Sequence, residues 1–189
     1  MTRFRLVPPA GAPLSARAIL RAAVPSALDK SRSTEILRRQ VGGRHVYFIS
    51  SGRAALTLLL RALQKLSNRR EVVIPAYTCF SVPSAVVRAG LCIRLCDIDP
   101  KTLDLDHNAL PRLDLGKVLC IVSSGLFGLP SDLVTLEEIA RDYGTFLIDD
   151  AAQCLGAMLG ERLCGTFGDA GFYSLGRGKN ITTMGVESC

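Results

Sequence analysis

The chain has 189 residues, of which 48% are hydrophobic, and its formal net charge is +6 at pH 7. This composition excludes general disorder, because the chain is long and apolar enough to bury the core of one domain or slightly more. No run of about eighteen uncharged apolar residues occurs, so a membrane-spanning helix is not expected either.

Residues 1–45 are predicted to form a basic N-terminal arm and helix, followed by the main domain at residues 46–189. The first residues, MTRFRLVPPAGAPLSARAIL, are basic like the start of a secretion signal. However, Pro8, Pro9 and Pro13 interrupt any hydrophobic segment, so we interpret this stretch as an ordered arm of a cytoplasmic protein.

The positive charge is concentrated in residues 1–70, which carry +12, whereas residues 71–189 carry −6. Such an asymmetry is typical of nucleic-acid or membrane-surface contacts. The chain lacks the interleaved aromatic residues and reading motifs of nucleic-acid-binding proteins. A basic surface that meets a phosphorylated substrate or an acidic face of a second subunit is at least as well supported.

The chain has seven cysteines, an odd number, and their spacing indicates neither a disulfide framework nor a metal site. No CxxC motif occurs, and only His45 and His107 could supply imidazole ligands, so no structural zinc site is expected. Cys92 and Cys96 fall on one face of a predicted strand. We interpret the cysteines as small buried hydrophobic residues.

From residue 46 onward, predicted strands alternate with predicted helices. The β-rich run VYFIS (46–50) comes first, and Ser50, Ser51 and Gly52 then supply capping chemistry for a helix over ALTLLLRALQKL. Further strands are predicted at 71–75, 91–99, 117–124, 145–150 and within the final ERLCGTFGDAGFYSL stretch, and further helices at 81–90 and at 131–144, the latter capped by Ser131 and ended by Gly144.

This alternation predicts an α/β fold with a mainly parallel sheet covered by helices on both faces. Ligands of such sheets bind beyond the carboxyl ends of the strands. Asp149, Asp150 and the loop before Lys179 are expected at that edge.

The strings LIDDAAQ and FYSLGRGKN together predict a pyridoxal phosphate site. Such a site needs a lysine to form a Schiff base and a carboxylate to hold the ring nitrogen protonated. Lys179 and Asp150 are the candidates for these roles, and Gln153 could reach the phenolic oxygen of the ring. Each residue also has an ordinary interpretation: strand-end aspartates often turn the chain, and lysines in glycine-rich loops are usually solvated.

The phosphate of the cofactor would bind at the start of the first helix, at Gly52, Arg53 and Ala54. Backbone N–H groups there are unpaired, and the helix dipole favours an anion. Ser174 would add a hydroxyl donor. The alternative interpretation is an ordinary capped helix, because SSGR matches no established phosphate-binding motif.

At residues 46–185 the sequence resembles the DegT/DnrJ/StrS-type family of pyridoxal phosphate-dependent sugar aminotransferases, of fold-type I. The similarity lies in SSGRAALTLLLRAL, VVIPAYTCFSVPSAVVRAG, CDIDPKTLDLD, GLFGLPSDLVTLEEIARDYG, LIDDAAQCLGA and GTFGDAGFYSLGRGKNITT. The resemblance implies that Lys179 is the Schiff-base lysine and that Asp150 is the partner of the ring nitrogen. It also implies that Gln153 contacts the phenolic oxygen and that Ala152 lies against one face of the ring. Ser174 and Gly52 would contact the phosphate.

The resemblance also implies the reaction. A homodimeric enzyme would transfer an amino group from glutamate to a nucleotide-linked keto-sugar, for cell-surface polysaccharide or secondary-metabolite sugars, with Lys179 moving the proton. The family includes sugar dehydratases that carry histidine in place of this lysine, and Lys179 argues against that branch.

Three departures from the family pattern stand out. Arg53 replaces a usual threonine, and Cys79 replaces an aromatic residue that stacks on the cofactor, for which Phe80 or Tyr77 could substitute. The chain stops after MGVESC, at about half the usual family length, so the C-terminal part of the fold is expected to be missing. A truncated, inactive relative that serves as a regulatory or dimer-forming module is therefore the main alternative. A different α/β enzyme that binds a nucleotide phosphate at Gly52 is a third reading.

Overall fold

The computed structural model describes residues 45–176 and Lys179, together with Phe4–Arg5, Ala16, Glu35, Arg38, Arg39 and Val41. The strands are β1 (Phe4–Arg5), β2 (Glu71–Pro75), β3 (Cys92–Cys96), β4 (Val118–Ser124), β5 (Phe146–Asp150), β6 (Met158–Leu159), β7 (Arg162–Leu163) and β8 (Ala170–Phe172). The α-helices with described bounds are α1 (Gly52–Leu63), α2 (Ser81–Ala89) and α3 (Leu133–Asp142).

A five-stranded sheet in the order β3-β2-β4-β5-β8 forms the centre of the fold, and all its strand pairs are parallel. Strand β4 is buried along its whole length, as expected for a central strand covered on both faces. The predicted α/β class with a mainly parallel sheet is therefore confirmed.

Helices cover both faces of this sheet. Neighbouring strand residues contact different helices, because their side chains point to opposite sides of the sheet. Val72 packs in a core with α1 and α2, whereas the next residue, Val73, packs in a second core with α3. The buried residues of α1 recur at helical spacing as Leu56, Leu60 and Leu63. The local pattern of apolar residues thus determines which face of each element meets the sheet.

Helix ends follow the capping chemistry of the sequence in most places. Ser51 caps α1, because its side chain accepts a hydrogen bond from the Ala54 N–H at 3.2 Å. Gly90 ends α2 in the left-handed conformation at φ 77°, and its N–H bonds to the Val86 and Val87 carbonyls.

The structure corrects three predictions about element bounds and capping. Residues 46–49 form no strand; Tyr47 is 78% exposed, and β-propensity alone cannot supply a pairing strand. Asp132, not Ser131, caps α3, because its carboxylate accepts bonds from the Thr135 N–H and hydroxyl. The strand predicted at 91–99 ends at Cys96.

The remaining features concern the periphery. Strands β6 and β7 form an antiparallel hairpin, and β1 pairs with β6 through Phe4 and Leu159. Cys79 and Cys92 are exposed, which corrects the prediction that the cysteines are buried; the other four cysteines of the described part are buried. No helix among the described residues is long and apolar enough to cross a membrane.

Candidate functional site

A cleft of about 250 Å³ opens at the carboxyl ends of the parallel strands. This volume is close to the lower end of the range of about 300–1,000 Å³ that small-ligand sites occupy. The cleft lies beside the ends of β2 and β4, where the strand order reverses direction, which is the position expected for ligands of such sheets. Seven of the eight predicted site residues line it: Gly52, Arg53, Asp150, Ala152, Gln153, Ser174 and Lys179.

Helix α1 points its N-terminus into this cleft. The first bond of the helical pattern runs from the Ala55 N–H to the Ser51 carbonyl, which leaves the N–H groups of Gly52 and Arg53 ahead of it. Ala54 does not line the cleft, and its N–H already donates to the Ser51 hydroxyl. The helix therefore offers two N–H groups and the positive end of its dipole to a ligand.

Gly52 also places the helix against the end of β8. A Cβ atom added at Gly52 would lie 3.5 Å from the Phe172 ring and 3.7 Å from the Ser174 Cβ. The hydroxyl-bearing side chain of Ser174 is thus adjacent to the N-terminus of α1. The two segments are 122 positions apart in the sequence and meet only through the sheet.

Asp150 is the buried carboxylate of the cleft, with 8% of its surface exposed. Burial raises its pKa to about 6. The Ala152 N–H, which donates to Oδ1 at 3.0 Å, and the Lys179 ammonium both oppose this increase. Above pH 6 the side chain is therefore a desolvated anion that a cationic group in the cleft would stabilise.

Asp149, the neighbouring carboxylate, serves a different purpose because strand alternation turns it away from the cleft. It accepts a hydrogen bond from the Gly165 N–H in the turn after β7. Burial raises its pKa to about 7, although the hydrogen bond opposes this shift. Of the two strand-end aspartates, only Asp150 lines the cleft.

Lys179 reaches the cleft from the segment that follows β8. Its backbone N–H donates to the Gly176 carbonyl at 3.3 Å, and its half-buried side chain lines the cleft together with Asp150. The ammonium is close enough to lower the Asp150 pKa. An amine and a carboxylate that are 29 positions apart in the sequence are thus brought to one site.

Gln153 is anchored on one side and open on the other. Its Oε1 accepts a hydrogen bond from the Phe127 N–H at 3.0 Å. Within the described residues, Nε2 has no hydrogen-bond partner and is not among the buried unpaired atoms. The amide therefore presents donors rather than an acceptor to the cleft.

Sequence reasoning did not identify a pair of hydroxyls in the cleft wall. Thr78, after β2, and Ser124, at the end of β4, lie with their side-chain oxygens 3.1 Å apart. Ser124 is also the register partner of Asp150 in the parallel sheet. Their proximity depends on the pairing of β2 with β4, which no local pattern indicates.

Cys79 and Phe80, in the loop before α2, also line the cleft. Phe80 is 75% exposed. Tyr77 is exposed as well but does not line the cleft. Of the two aromatic residues considered as substitutes, only Phe80 is in a position to contact a bound ring.

The donor set fits pyridoxal phosphate. A desolvated carboxylate suits the protonated ring nitrogen, an amine is present for the aldehyde, and two helix N–H groups with a nearby serine suit the phosphate. No groups of three or more His, Cys, Asp or Glu side chains that could hold a metal ion occur among the described residues.

Comparisons with known proteins show the family of this chain. The profile of the DegT/DnrJ/EryC1/StrS aminotransferase family matches residues 32–186. A UDP-N-acetyl-3-dehydro-alpha-D-glucosamine 3-aminotransferase from Acidithiobacillus ferrooxidans is 30% identical over 144 residues, which cover 76% of this chain and 39% of that protein. An L-glutamine:2-deoxy-scyllo-inosose aminotransferase from Streptomyces kanamyceticus is 35% identical over 139 residues, which cover 74% of this chain and 32% of that protein.

Among solved structures, the E. coli GDP-4-keto-6-deoxy-D-mannose-3-dehydratase with bound hydrated PLP superposes with a TM-score of 0.79 at 22% identity. The match covers 94% of this chain and 49% of that one. The likeness establishes the shared fold and shows that proteins with this fold include a dehydratase. This chain spans less than two fifths of the length of the two aminotransferases named above and about half of the dehydratase structure.

Proposed function

The chain belongs to the DegT/DnrJ/EryC1/StrS aminotransferase family, and we propose that its cleft binds pyridoxal phosphate with Lys179 as the covalent attachment point. The observation that carries the proposal is the meeting of Asp150, Lys179 and the N-terminus of α1 in one cleft. The separate ordinary interpretations of these residues do not account for their convergence.

Asp150 is proposed to hold the ring nitrogen. When bound, pyridoxal phosphate supplies an aldehyde carbon that reacts with amines and a pyridine ring that accepts electrons from a substrate carbon. The Asp150 carboxylate is ionised above its raised pKa of about 6, so at pH 7 to 8 it would be able to accept a hydrogen bond from a protonated ring nitrogen. The positive charge of the ring nitrogen would stabilise the Asp150 carboxylate, which burial removes from water.

The phosphate is proposed to bind where α1 begins. Gly52 and Arg53 would contribute backbone N–H groups, and the side chain of Ser174 lies beside them. Arg53 adds a cation that is exposed at the cleft. Ala54 contributes indirectly, because its bond to Ser51 fixes the first turn of the helix.

The ring itself is proposed to lie between Ala152 and the opposite wall of the cleft, with the Nε2 donors of Gln153 at its phenolic oxygen. The small side chain of Ala152 permits a planar group to approach closely. The Lys179 amine, which lines the cleft beside Asp150, would move a proton to and from the substrate carbon.

We propose amino transfer to a nucleotide-linked keto-sugar, with glutamate as donor, in a cytoplasmic homodimer. The names of the matched aminotransferases support a sugar or cyclitol acceptor. The presence of lysine rather than histidine at position 179 favours amino transfer over dehydration.

The test is a half-reaction. Protein saturated with pyridoxal phosphate is mixed with L-glutamate, and 2-oxoglutarate is quantified. One equivalent of 2-oxoglutarate per bound cofactor is expected, and none with Lys179→Ala. A nucleotide-linked keto-sugar should then restore the original cofactor absorbance.

Cofactor binding without any 2-oxoglutarate would support the second candidate, a module that binds the cofactor without turnover. Folded protein that binds no cofactor would contradict the proposed site itself.

A further inference from the structure

The loop at residues 125–129, between β4 and α3, is fastened to the segment that carries the candidate cofactor residues. The Gly125 N–H donates to the Asp150 carbonyl at 3.2 Å. The buried thiol of Cys154 lies 3.3 Å from the Gly125 carbonyl oxygen and 3.6 Å from that of Leu129. One backbone hydrogen bond and the single thiol proton of Cys154, which lies between the two carbonyl oxygens, therefore hold both ends of this loop, which we term the 125–129 loop, against residues 150–154.

At the middle of the 125–129 loop, Phe127 has a backbone conformation that is unfavourable for its side chain. Its φ is 55° and its ψ is 23°, in the left-handed region that non-glycine residues rarely occupy. The ring is 48% exposed, so burial of the side chain does not explain the conformation. The left-handed residue lies between the two fastened ends of the loop.

The consequence of this conformation is the hydrogen bond to Gln153. The left-handed turn aims the Phe127 N–H at Oε1 of Gln153, at 3.0 Å. A glutamine amide is nearly symmetric in shape, so without such a bond it can present either its oxygen or its nitrogen to the cleft. With the oxygen held by Phe127, the amide presents its two N–H donors.

We infer that the main chain of Phe127 is the positioning group that fixes the amide of Gln153, so that a donor faces the ligand oxygen in the cleft. The inference rests on the proposed function, because it assigns that oxygen to the phenolic group of pyridoxal phosphate. Phe127 acts through Gln153 and touches no reacting atom.

Two kinds of substitution at Phe127 separate the main-chain role from the side chain. Phe127→Gly and Phe127→Asn keep the N–H and tolerate the left-handed conformation, whereas the β-branched Phe127→Val disfavours it. The dissociation constant of pyridoxal phosphate should stay within about twofold for the first two variants. It should rise about fivefold to tenfold for Phe127→Val, the loss of one oriented hydrogen bond.

The decisive control is a cycle with Gln153→Met, which has similar volume and no amide. Phe127→Val should weaken cofactor binding in the wild-type background and have no further effect in the Gln153→Met background. An equal loss in both backgrounds would mean that Phe127 merely supports the loop, and would overturn the inference. So would a Phe127→Gly variant that loses as much affinity as Phe127→Val.

A measurement on the protein without cofactor keeps this test independent of the proposed function. The side-chain amide of Gln153 is observed by ¹⁵N NMR, with thermal unfolding as a check that each variant folds. Wild type and Phe127→Gly should show one ordered amide with a nuclear Overhauser contact to the residue 127 N–H, and Phe127→Val should lose that contact. A freely rotating Gln153 amide in the wild type would overturn the inference, whereas absence of cofactor binding alone would contradict only the proposed function.

Discussion

Charged side chains are paired differently at the two edges of the parallel sheet, where the strands begin and where they end. At the edge where the strands begin, Glu71 and Arg94 form a two-point ion pair with N···O distances of 2.7 and 2.8 Å, and Lys117 pairs with Asp114. Arg69 donates to three carbonyls there, those of Val118, Tyr143 and Gly144.

At the edge where the strands end, the buried carboxylate of Asp150 accepts only one N–H bond in the described residues, and its pKa is raised to about 6. The difference indicates which edge is built for stability and which for a ligand. Charges satisfied within the fold need no further partner, whereas a desolvated carboxylate in a cleft is stabilised once a cation binds. The predictions below test that contrast.

The largest effect is expected at Gly171 in β8, where the backbone packs most tightly near the carboxyl ends of the strands. A Cβ atom at Gly171 would overlap the carbonyl oxygen of Gly165, which cannot move without displacing the turn that Asp149 holds. Gly171→Ala should lower the free energy of unfolding by more than about 3 kcal/mol in urea denaturation.

Gly116→Ala, on the opposite edge, is the matched control. Its new Cβ would meet only the Asp114 carboxylate at 3.3 Å, and that side chain can rotate. A loss above about 1 kcal/mol there, or a small loss for Gly171→Ala, would contradict the packing contrast.

The second prediction concerns the stability of the cofactor-free protein. Because the pKa of Asp150 is raised from 3.8 to about 6, its contribution to stability is fully present below pH 4 and is lost as pH rises to about 6. Asp150→Asn should remove this loss and stabilise the protein at pH 8 by up to about 3 kcal/mol.

The measurement is urea denaturation of wild type and Asp150→Asn between pH 4 and pH 8. Asp149 should retain its own pH dependence in both proteins, extending to about pH 7. Equal stability of the two proteins at pH 8 would show that burial of the ionised Asp150 carboxylate does not destabilise the protein.

The third prediction is that Asp150→Asn, which should stabilise the cofactor-free protein, impairs cofactor binding. Asp150→Asn should weaken pyridoxal phosphate binding about tenfold to a hundredfold, because a charge-assisted hydrogen bond to the ring nitrogen is lost. Asp114→Asn, at the other edge, should leave the dissociation constant unchanged. Unaltered binding by Asp150→Asn would exclude the carboxylate from the site.

The smallest effect is expected at the opposite edge. The side chains of Arg94 and Glu71 are 43% and 23% exposed, so solvent screens their ion pair. A double-mutant cycle with Glu71→Ala and Arg94→Ala should give a coupling energy of about 0.5–1 kcal/mol that falls with added salt. A coupling above about 2 kcal/mol would mean that this edge also holds strongly desolvated charge.

The sequence predicts most of the elements because their signals are local. Apolar spacing, Ser51 and Gly90 define helices without knowledge of the rest of the fold. The strand predicted at residues 46–50 was wrong, since pairing with a distant segment decides strand formation. The division of the chain at residue 45 stays a prediction.

The candidate site is predictable where its motif is continuous and unpredictable where it depends on tertiary contacts. Asp150, Ala152 and Gln153 of the DDAAQ string line the cleft together with the later Lys179. The Thr78–Ser124 pair requires β2 to lie beside β4, and the bond from Phe127 to Gln153 requires a left-handed phenylalanine. Neither propensity nor periodicity encodes such features.

The most direct test of the central claim is the site of covalent attachment. Protein incubated with pyridoxal phosphate is reduced with borohydride and analysed by intact mass and peptide mapping, alongside Lys179→Ala and the exposed-site control Lys101→Ala. The proposed site predicts a single adduct on Lys179 that disappears in Lys179→Ala and persists in Lys101→Ala. No adduct on folded protein, or adducts on surface lysines that Lys179→Ala leaves unchanged, would contradict it.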